Sequence, residues 1–301
     1  MFYEFALEPR VLYEAAKNQR DFKDFIRLFD VGSPAVISNF PSFKKLRRAV
    51  FDIQTASDSE LKKARLEEII KFLSEVPRVK RLCAYDGNFD WKTNMVVENE
   101  RVAFDHILTL THDPALGSIT LERLFEREIT YPTQLLVKRV ADEMANAIGN
   151  MLRLSTRIVF VDPYFGSNRS KWKPFIRFIE QALTNRPKEG LSIEVVFSLD
   201  KGREGLAQFL FNKLRDEHSD IFERCTVVFK AVCEKHKGEK IHNRYVLTDI
   251  GGVSFAVGLD EEDENHQDDV ALLSKKSYTL RWQQYAHLDG FDLVEESSAS
   301  L

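Results

Sequence analysis

One stretch limits the fold more than any other: Arg157-Ile158-Val159-Phe160-Val161, apolar throughout after its first residue. A strand that reads this way is covered on both faces, as strands are where helices flank a largely parallel sheet. The run ends in Asp162-Pro163-Tyr164-Phe165 and a Gly/Ser/Asn loop, and a helical pattern follows from about Lys173 to Thr184. Leu191–Leu199 reads as a second strand, Arg203–Glu217 as a helix and Cys225–Val232 as a third strand. Ile241–Thr248 and Val253–Val257 lie close together across the turn Asp249-Ile250-Gly251-Gly252. A further strand is expected through Val270–Leu273, and a last helix from Tyr278 to Tyr285. Strands that alternate with helices and then pair directly predict an α/β domain with a mixed sheet.

The preceding residues read as mostly helical. Val11, Leu12, Ala15, Phe22, Phe25, Ile26 and Phe29 sit close to helical spacing from about Pro9 to Leu28. Ser57-Asp58-Ser59-Glu60 has the form of a capping box, and Leu61 to Leu73 carries an apolar stripe behind it. Two strands are expected near Val79–Tyr85 and Asn94–Phe104, and one long helix from Thr133 to Leu154, with Pro132 at its start. The predicted division is therefore a mostly helical domain with a few strands over 1–150 and a mixed-sheet α/β domain over 151–301, packed together because no Pro/Gly/Ser linker separates them.

Composition narrows the class. A chain of 301 residues that is 44% hydrophobic and 30% charged has enough apolar area for a core and is not a disordered tail. Its net charge of −4 excludes a protein that coats nucleic acid by bulk basicity, though not a local basic stripe. Three cysteines (Cys83, Cys225 and Cys233) without a C-x-x-C are too few for a disulfide scaffold or a zinc cage. No apolar run is long enough for a spanning helix and no signal peptide precedes the first domain, so a cytoplasmic location is expected.

The residues that could carry chemistry cluster in His242-Asn243-Arg244-Tyr245-Val246-Leu247-Thr248-Asp249. Residues two apart on a strand share a face, which places His242 beside Arg244. An imidazole can attack phosphorus or move a proton, and a guanidinium can grip two phosphate oxygens. The competing reading is an ordinary strand whose His and Arg face solvent. Asp162 and Tyr164 stand where open α/β sheets bind ligands, although a Pro-stiffened turn with Tyr packed on the core is the preferred reading. Lys171, Lys173, Arg177, Arg186 and Lys188 could form a basic rim interleaved with Trp172, Phe175 and Phe178; an amphipathic helix burying its aromatic residues is the alternative.

The spacing H-x-R-x4-D, followed by a Gly-rich turn and an apolar strand ending in Gly258, resembles the phospholipase D superfamily, whose motif is H-x-K-x4-D followed by a Gly-Ser-x-Asn corner. The resemblance covers about residues 155–290 and is strongest to a divergent branch that includes the C-terminal phospholipase D-like domain of MIT-domain proteins and uncharacterised bacterial relatives. It implies a metal-independent phosphodiesterase, most simply a nuclease, with no cofactor. His242 would be nucleophile or general acid, Arg244 the phosphate clamp and Asp249 the group that orients an imidazole. Asp162, Tyr164, Gly258 and Asp260 would line the substrate. Three departures bear on turnover: Arg244 replaces Lys, Leu259-Asp260 replaces the corner Ser, and the turn is longer. The reaction needs two histidines and this chain carries one such motif, so the resemblance implies a homodimer. The alternative is a catalytically silent phosphate- or nucleic-acid-binding component of a larger bacterial complex, such as an antiviral defence system, which rests on analogy.

Overall fold

The computed structural model describes residues 1–81, 85–126, 131–184, 190–199, 204–236 and 238–298; Cys83, Arg186 and Lys188 fall outside them. The protein is α/β, with helices and mixed sheets, as the strand–helix alternation predicts. It divides into two compact units, Phe2–Tyr131 and Pro132–Leu301 with Met1. The division therefore falls after Tyr131 and not near residue 150.

The first unit is built on a sheet, not on helices alone. Its elements are β1 (Tyr3–Leu7), α1 (Pro9–Ala15), α2 (Gln19–Phe29), β2 (Ala35–Ser38), α3 (Phe43–Ile53), α4 (Glu60–Glu75), β3 (Arg78–Val79), α5 (Trp91–Arg101), β4 (His106–Leu108) and α6 (Leu121–Phe125). The strands pair in parallel in the order β3-β2-β1-β4. Parallel pairing needs crossovers, and the helices between the strands supply them. Phe5 and Leu7 of β1 join a core with Val11, Phe25, Ile69 and Leu73. Ala6, on the other face, joins Phe40, Trp91, Met95 and Phe104. The segment expected as a strand near Asn94 is helix α5, because Asp90 caps it by accepting a hydrogen bond from Thr93 N at 2.7 Å. Helix α4 is capped by Ser59, not Ser57; the Ser59 side chain accepts from Lys62 N.

The second unit holds β5 (Gln134–Lys138), α7 (Ala141–Ala147), α8 (Gly149–Leu154), β6 (Arg157–Val161), α9 (Arg169–Leu183), β7 (Ser192–Ser198), α10 (Leu206–Glu217), α11 (Ser219–Phe222), β8 (Thr226–Glu234), β9 (Arg244–Thr248), β10 (Gly251–Phe255), β11 (Gln267–Leu272), α12 (Lys275–Ala286) and β12 (Phe291–Ser298). They form an eight-stranded sheet in the order β12-β8-β7-β6-β9-β10-β11-β5. Strands β6, β7 and β8 run parallel, and every other pairing is antiparallel. The expected long helix over Thr133–Leu154 is a strand followed by two short helices. Its first residues alternate with period two: Val137 is buried while Gln134, Leu136 and Lys138 are exposed, and they pair with β11. One face of the sheet packs Phe160 against Phe175 and Phe178 of α9. The other packs Val159, Val196, Tyr245 and Leu247 against Tyr285 of α12. No helix among the described residues is long and apolar enough to cross a membrane.

Candidate functional site

Antiparallel pairing of β6 with β9 brings the chemistry to one end of the sheet. Val161 stands opposite Tyr245, so the residues that leave β6 (Asp162 to Tyr164) lie beside those that enter β9 (His242 to Arg244). Phe255 opposite Arg244 adds the outgoing end of β10. Sequence residues far apart thus converge through register alone.

Arg244 is the first residue of β9, and His242 lies in the chain just before it. Arg244 Nη1 donates to the His242 carbonyl at 3.2 Å, and the imidazole itself is exposed. The guanidinium lies over the Tyr164 ring, 5.4 Å from its centroid. Its Nε is buried and has no hydrogen-bond partner. Among the described residues no carboxylate forms a salt bridge with Arg244. A buried donor left unpaired costs about 1–3 kcal/mol, which an anionic oxygen at this position would offset.

Asp162 is completely buried. One of its oxygens accepts from Tyr164 N at 2.8 Å and the other from Lys171 Nζ at 2.8 Å. It is thus a fixed support for the turn that carries Tyr164, not a group open to substrate. Tyr164 does not pack into the core; 43% of its surface is exposed.

Asp249 is at the far end of β9, five residues and about 17 Å of strand from Arg244. Its carboxylate accepts from Thr156 N at 2.9 Å, Thr156 Oγ1 at 2.5 Å and Arg157 N at 3.3 Å. This corrects the expectation that it orients an imidazole: it ties the β9–β10 turn to the start of β6.

Gly258 and Asp260 are likewise engaged internally. The Gly258 amide donates to the buried Asp268 carboxylate at 3.3 Å, and Val257 N donates to its other oxygen at 3.0 Å. Asp260 accepts from Arg139 at 2.8 Å, and Arg139 reaches Glu262 at 2.5 Å. A Cβ at Gly258 would come within 2.2 Å of the Asp260 carboxylate, which would have to shift to admit it. These hydrogen bonds brace the chain that follows β10.

Of the expected basic rim, the three described residues are neutralised in place; Arg186 and Lys188 lie outside the described residues. Lys171 is held by Asp162, Lys173 by Glu261 at 2.8 Å, and Arg177 by Asp142 at 2.5 Å. Trp172, Phe175 and Phe178 are buried, as an amphipathic helix requires. A basic segment that the motif reading overlooked lies instead between β8 and β9. From Lys235 to Arg244 its one acidic residue is Glu239, and Arg281 of α12 holds that carboxylate at 2.6 Å. His236, Lys240 and His242 are exposed along it. The density of Lys and His was readable in the sequence; the neutralisation of Glu239 was not, because its partner is 42 residues away.

No family model matches the chain, and no curated protein matches it. Among solved structures it is similar to TrmBL2, an archaeal chromatin protein described as showing a novel mode of DNA binding. The identity is 12% and the TM-score 0.30, with 81% of this chain and 79% of that one covered. Among the described residues no group of three or more His, Cys, Asp and Glu side chains is placed to hold a metal ion.

Proposed function

We propose that this chain is a phospholipase D-like phosphodiesterase, a metal-independent nuclease whose site is completed by a second copy. The observation that carries the reading is Arg244: a guanidinium with a buried, unpartnered Nε and no acidic partner among the described residues, two residues after the exposed His242, whose carbonyl it meets. In this reading the guanidinium holds the non-bridging phosphate oxygens. The His242 imidazole attacks phosphorus, a P–N bond forms, and the P–O bond to the leaving group breaks. The leaving alkoxide takes a proton from the second copy's imidazole. That imidazole then deprotonates water, which attacks phosphorus and releases His242.

A second reading is a site that binds the phosphate without turning it over. It is favoured by Asp249, whose carboxylate is committed to Thr156 and Arg157 and leaves the imidazole without a carboxylate orienter of its own motif.

One assay separates the two. Fluorescent oligonucleotides are incubated with the protein in EDTA at micromolar concentration. Cleavage by the wild type, its loss in His242→Ala and in Arg244→Ala, and a dimer in analytical ultracentrifugation support the nuclease. Wild-type binding that Arg244→Ala weakens at every salt concentration, with no product, supports the silent site. Equal cleavage by His242→Ala, or a strict monomer that still cleaves, removes the proposed mechanism.

A further inference from the structure

A phosphate clamp does not say what the phosphodiester carries, and Tyr164 addresses that. Its ring is 43% exposed, although it follows a proline on a turn that starts in the core. The turn is rigid: Asp162, completely buried, accepts from the Tyr164 amide and is itself held by Lys171. An exposed aromatic ring on so fixed a support exposes apolar surface to water with little freedom to hide it. The ring also lies against the one guanidinium that the site reading needs, 5.4 Å from centroid to Cζ. An aromatic face next to a phosphate-binding cation suits a nucleotide, because every base can stack on it whatever the sequence.

The approach to the site has matching charge. Residues 235–244 lead into Arg244 with exposed His236, Lys240 and His242, and their one acid is withdrawn by Arg281. A segment that carries the exposed Lys240 and two exposed imidazoles and ends at an aromatic–guanidinium pair fits an extended polyanion with unpaired bases better than a compact anion. A duplex does not fit, since its bases are stacked on each other and closed to the ring.

We propose that Tyr164 is a base-stacking platform and that the site takes single-stranded nucleic acid, with a phosphate on Arg244 and the neighbouring base on Tyr164. This rests on the phosphodiester reading of Arg244.

The test is fluorescence anisotropy of the full chain in EDTA at low salt. Four probes are used: a labelled oligo(dT) of about 20 nucleotides, the same backbone with abasic sites throughout, the corresponding duplex, and vesicles of phosphatidylcholine with anionic lipid. The expected results are that Tyr164→Ala weakens binding of oligo(dT) by about tenfold or more, and that Tyr164→Phe and Tyr164→Trp restore it. The abasic strand should bind more weakly than oligo(dT) and be indifferent to position 164. Equal binding of oligo(dT) by wild type and Tyr164→Ala overturns the platform, as does equal binding of the abasic strand, tighter binding of the duplex, or binding of vesicles alone. Arg244→Ala separates the two levels. If it weakens every anionic probe while Tyr164→Ala changes nothing, the stacking proposal fails and the phosphodiester reading stands. If Arg244→Ala binds like wild type, the phosphodiester reading fails too, and the stacking proposal with it.

Discussion

Replacing Arg81 with Met should cost the first unit about 3–5 kcal/mol, enough to unfold a domain of ordinary stability. The guanidinium is 5% exposed and lies between two carboxylates, Glu4 and Glu98, that are 3% and 4% exposed. It donates to both oxygens of Glu4 at 2.7 and 2.6 Å, to Glu98 at 3.0 Å, and to the carbonyls of Val102 and Ala103 at 2.6 and 3.1 Å. Phe104 covers its face, 3.6 Å from the ring centroid. Met fills similar space but leaves Glu4 buried without its cation and Glu98 with Arg101 alone, which donates to it at 2.7 and 2.8 Å. The loss comes mainly from the stranded Glu4 charge, not from the ion pairs themselves, since a buried pair barely offsets its own desolvation. Adding Glu4→Leu and Glu98→Met to Arg81→Met should therefore recover most of the stability. Urea denaturation followed by the fluorescence of Trp91, the tryptophan of this unit, measures both. A loss below about 1 kcal/mol in the single variant would mean that the carboxylates find water, contrary to their burial.

The second unit has a comparable knot with a pH signature. Glu194, in the middle of β7, accepts from Arg157 at 2.6 Å and Lys230 at 2.7 Å. Burial alone would raise its pKa, but hydrogen bonds and charge from Arg157 and Lys230 outweigh it and hold the carboxyl below its ordinary 4.5. A carboxylate with a depressed folded-state pKa contributes stability that is present above the unfolded value and disappears as pH falls through the folded one. Glu194 should thus stabilise this unit fully at neutral pH and progressively less below about 4.5. Glu194→Leu leaves Lys230 with only the distant Glu296 at 3.9 Å and Arg157 with the Ala286 carbonyl, and should cost about 3 kcal/mol at pH 7, the low end of the range because Arg157 is 32% exposed. The gap between variant and wild type should narrow as pH falls from 5 to 3. Thermal melts across that interval check it; a gap that stays constant would show that Glu194 does not titrate with folding.

How far the sequence anticipates the fold depends on where each element gets its stability. The runs at Ile158–Val161, Leu191–Leu199, Cys225–Val232 and Ile241–Thr248 hold strands β6 to β9, because their closely spaced buried apolar residues declare a strand even where Glu194 and Lys230 interrupt them. The short strands β1, β2 and β4 escape such a reading. Tyr3–Leu7 has a buried glutamate as its second residue, which Arg81 meets from 77 residues further along the chain. β5 was expected as helix because Leu135, Leu136 and Val140 also fit a helical stripe; what decides for a strand is β11, whose Val270 lies opposite Leu135. The site divides in the same way. His242 and Arg244 were expected to share a strand face, but β9 begins only at Arg244, whose guanidinium meets the His242 carbonyl and not its ring. The fate of Asp249 depended on Thr156, 93 residues away, and the use of Gly258 depended on the side chain of Asp268. Spacing in a motif cannot reveal a competitor for the same carboxylate or amide.

The placement of β5 also governs when its edge of the large sheet can be finished. Its partner residues, Gln267 to Ala271, are made more than a hundred residues later than Gln134 to Lys138. A nascent chain has therefore synthesised β6 through β10 before the strand that flanks β5 exists. Until then Val137, buried in the finished sheet, has no neighbouring strand to cover it. Loop closure over that span is entropically slow and leaves an unpaired apolar edge in the meantime. This outer strand is the one that newly made molecules hold open longest, and the one through which two unfinished chains would most readily adhere.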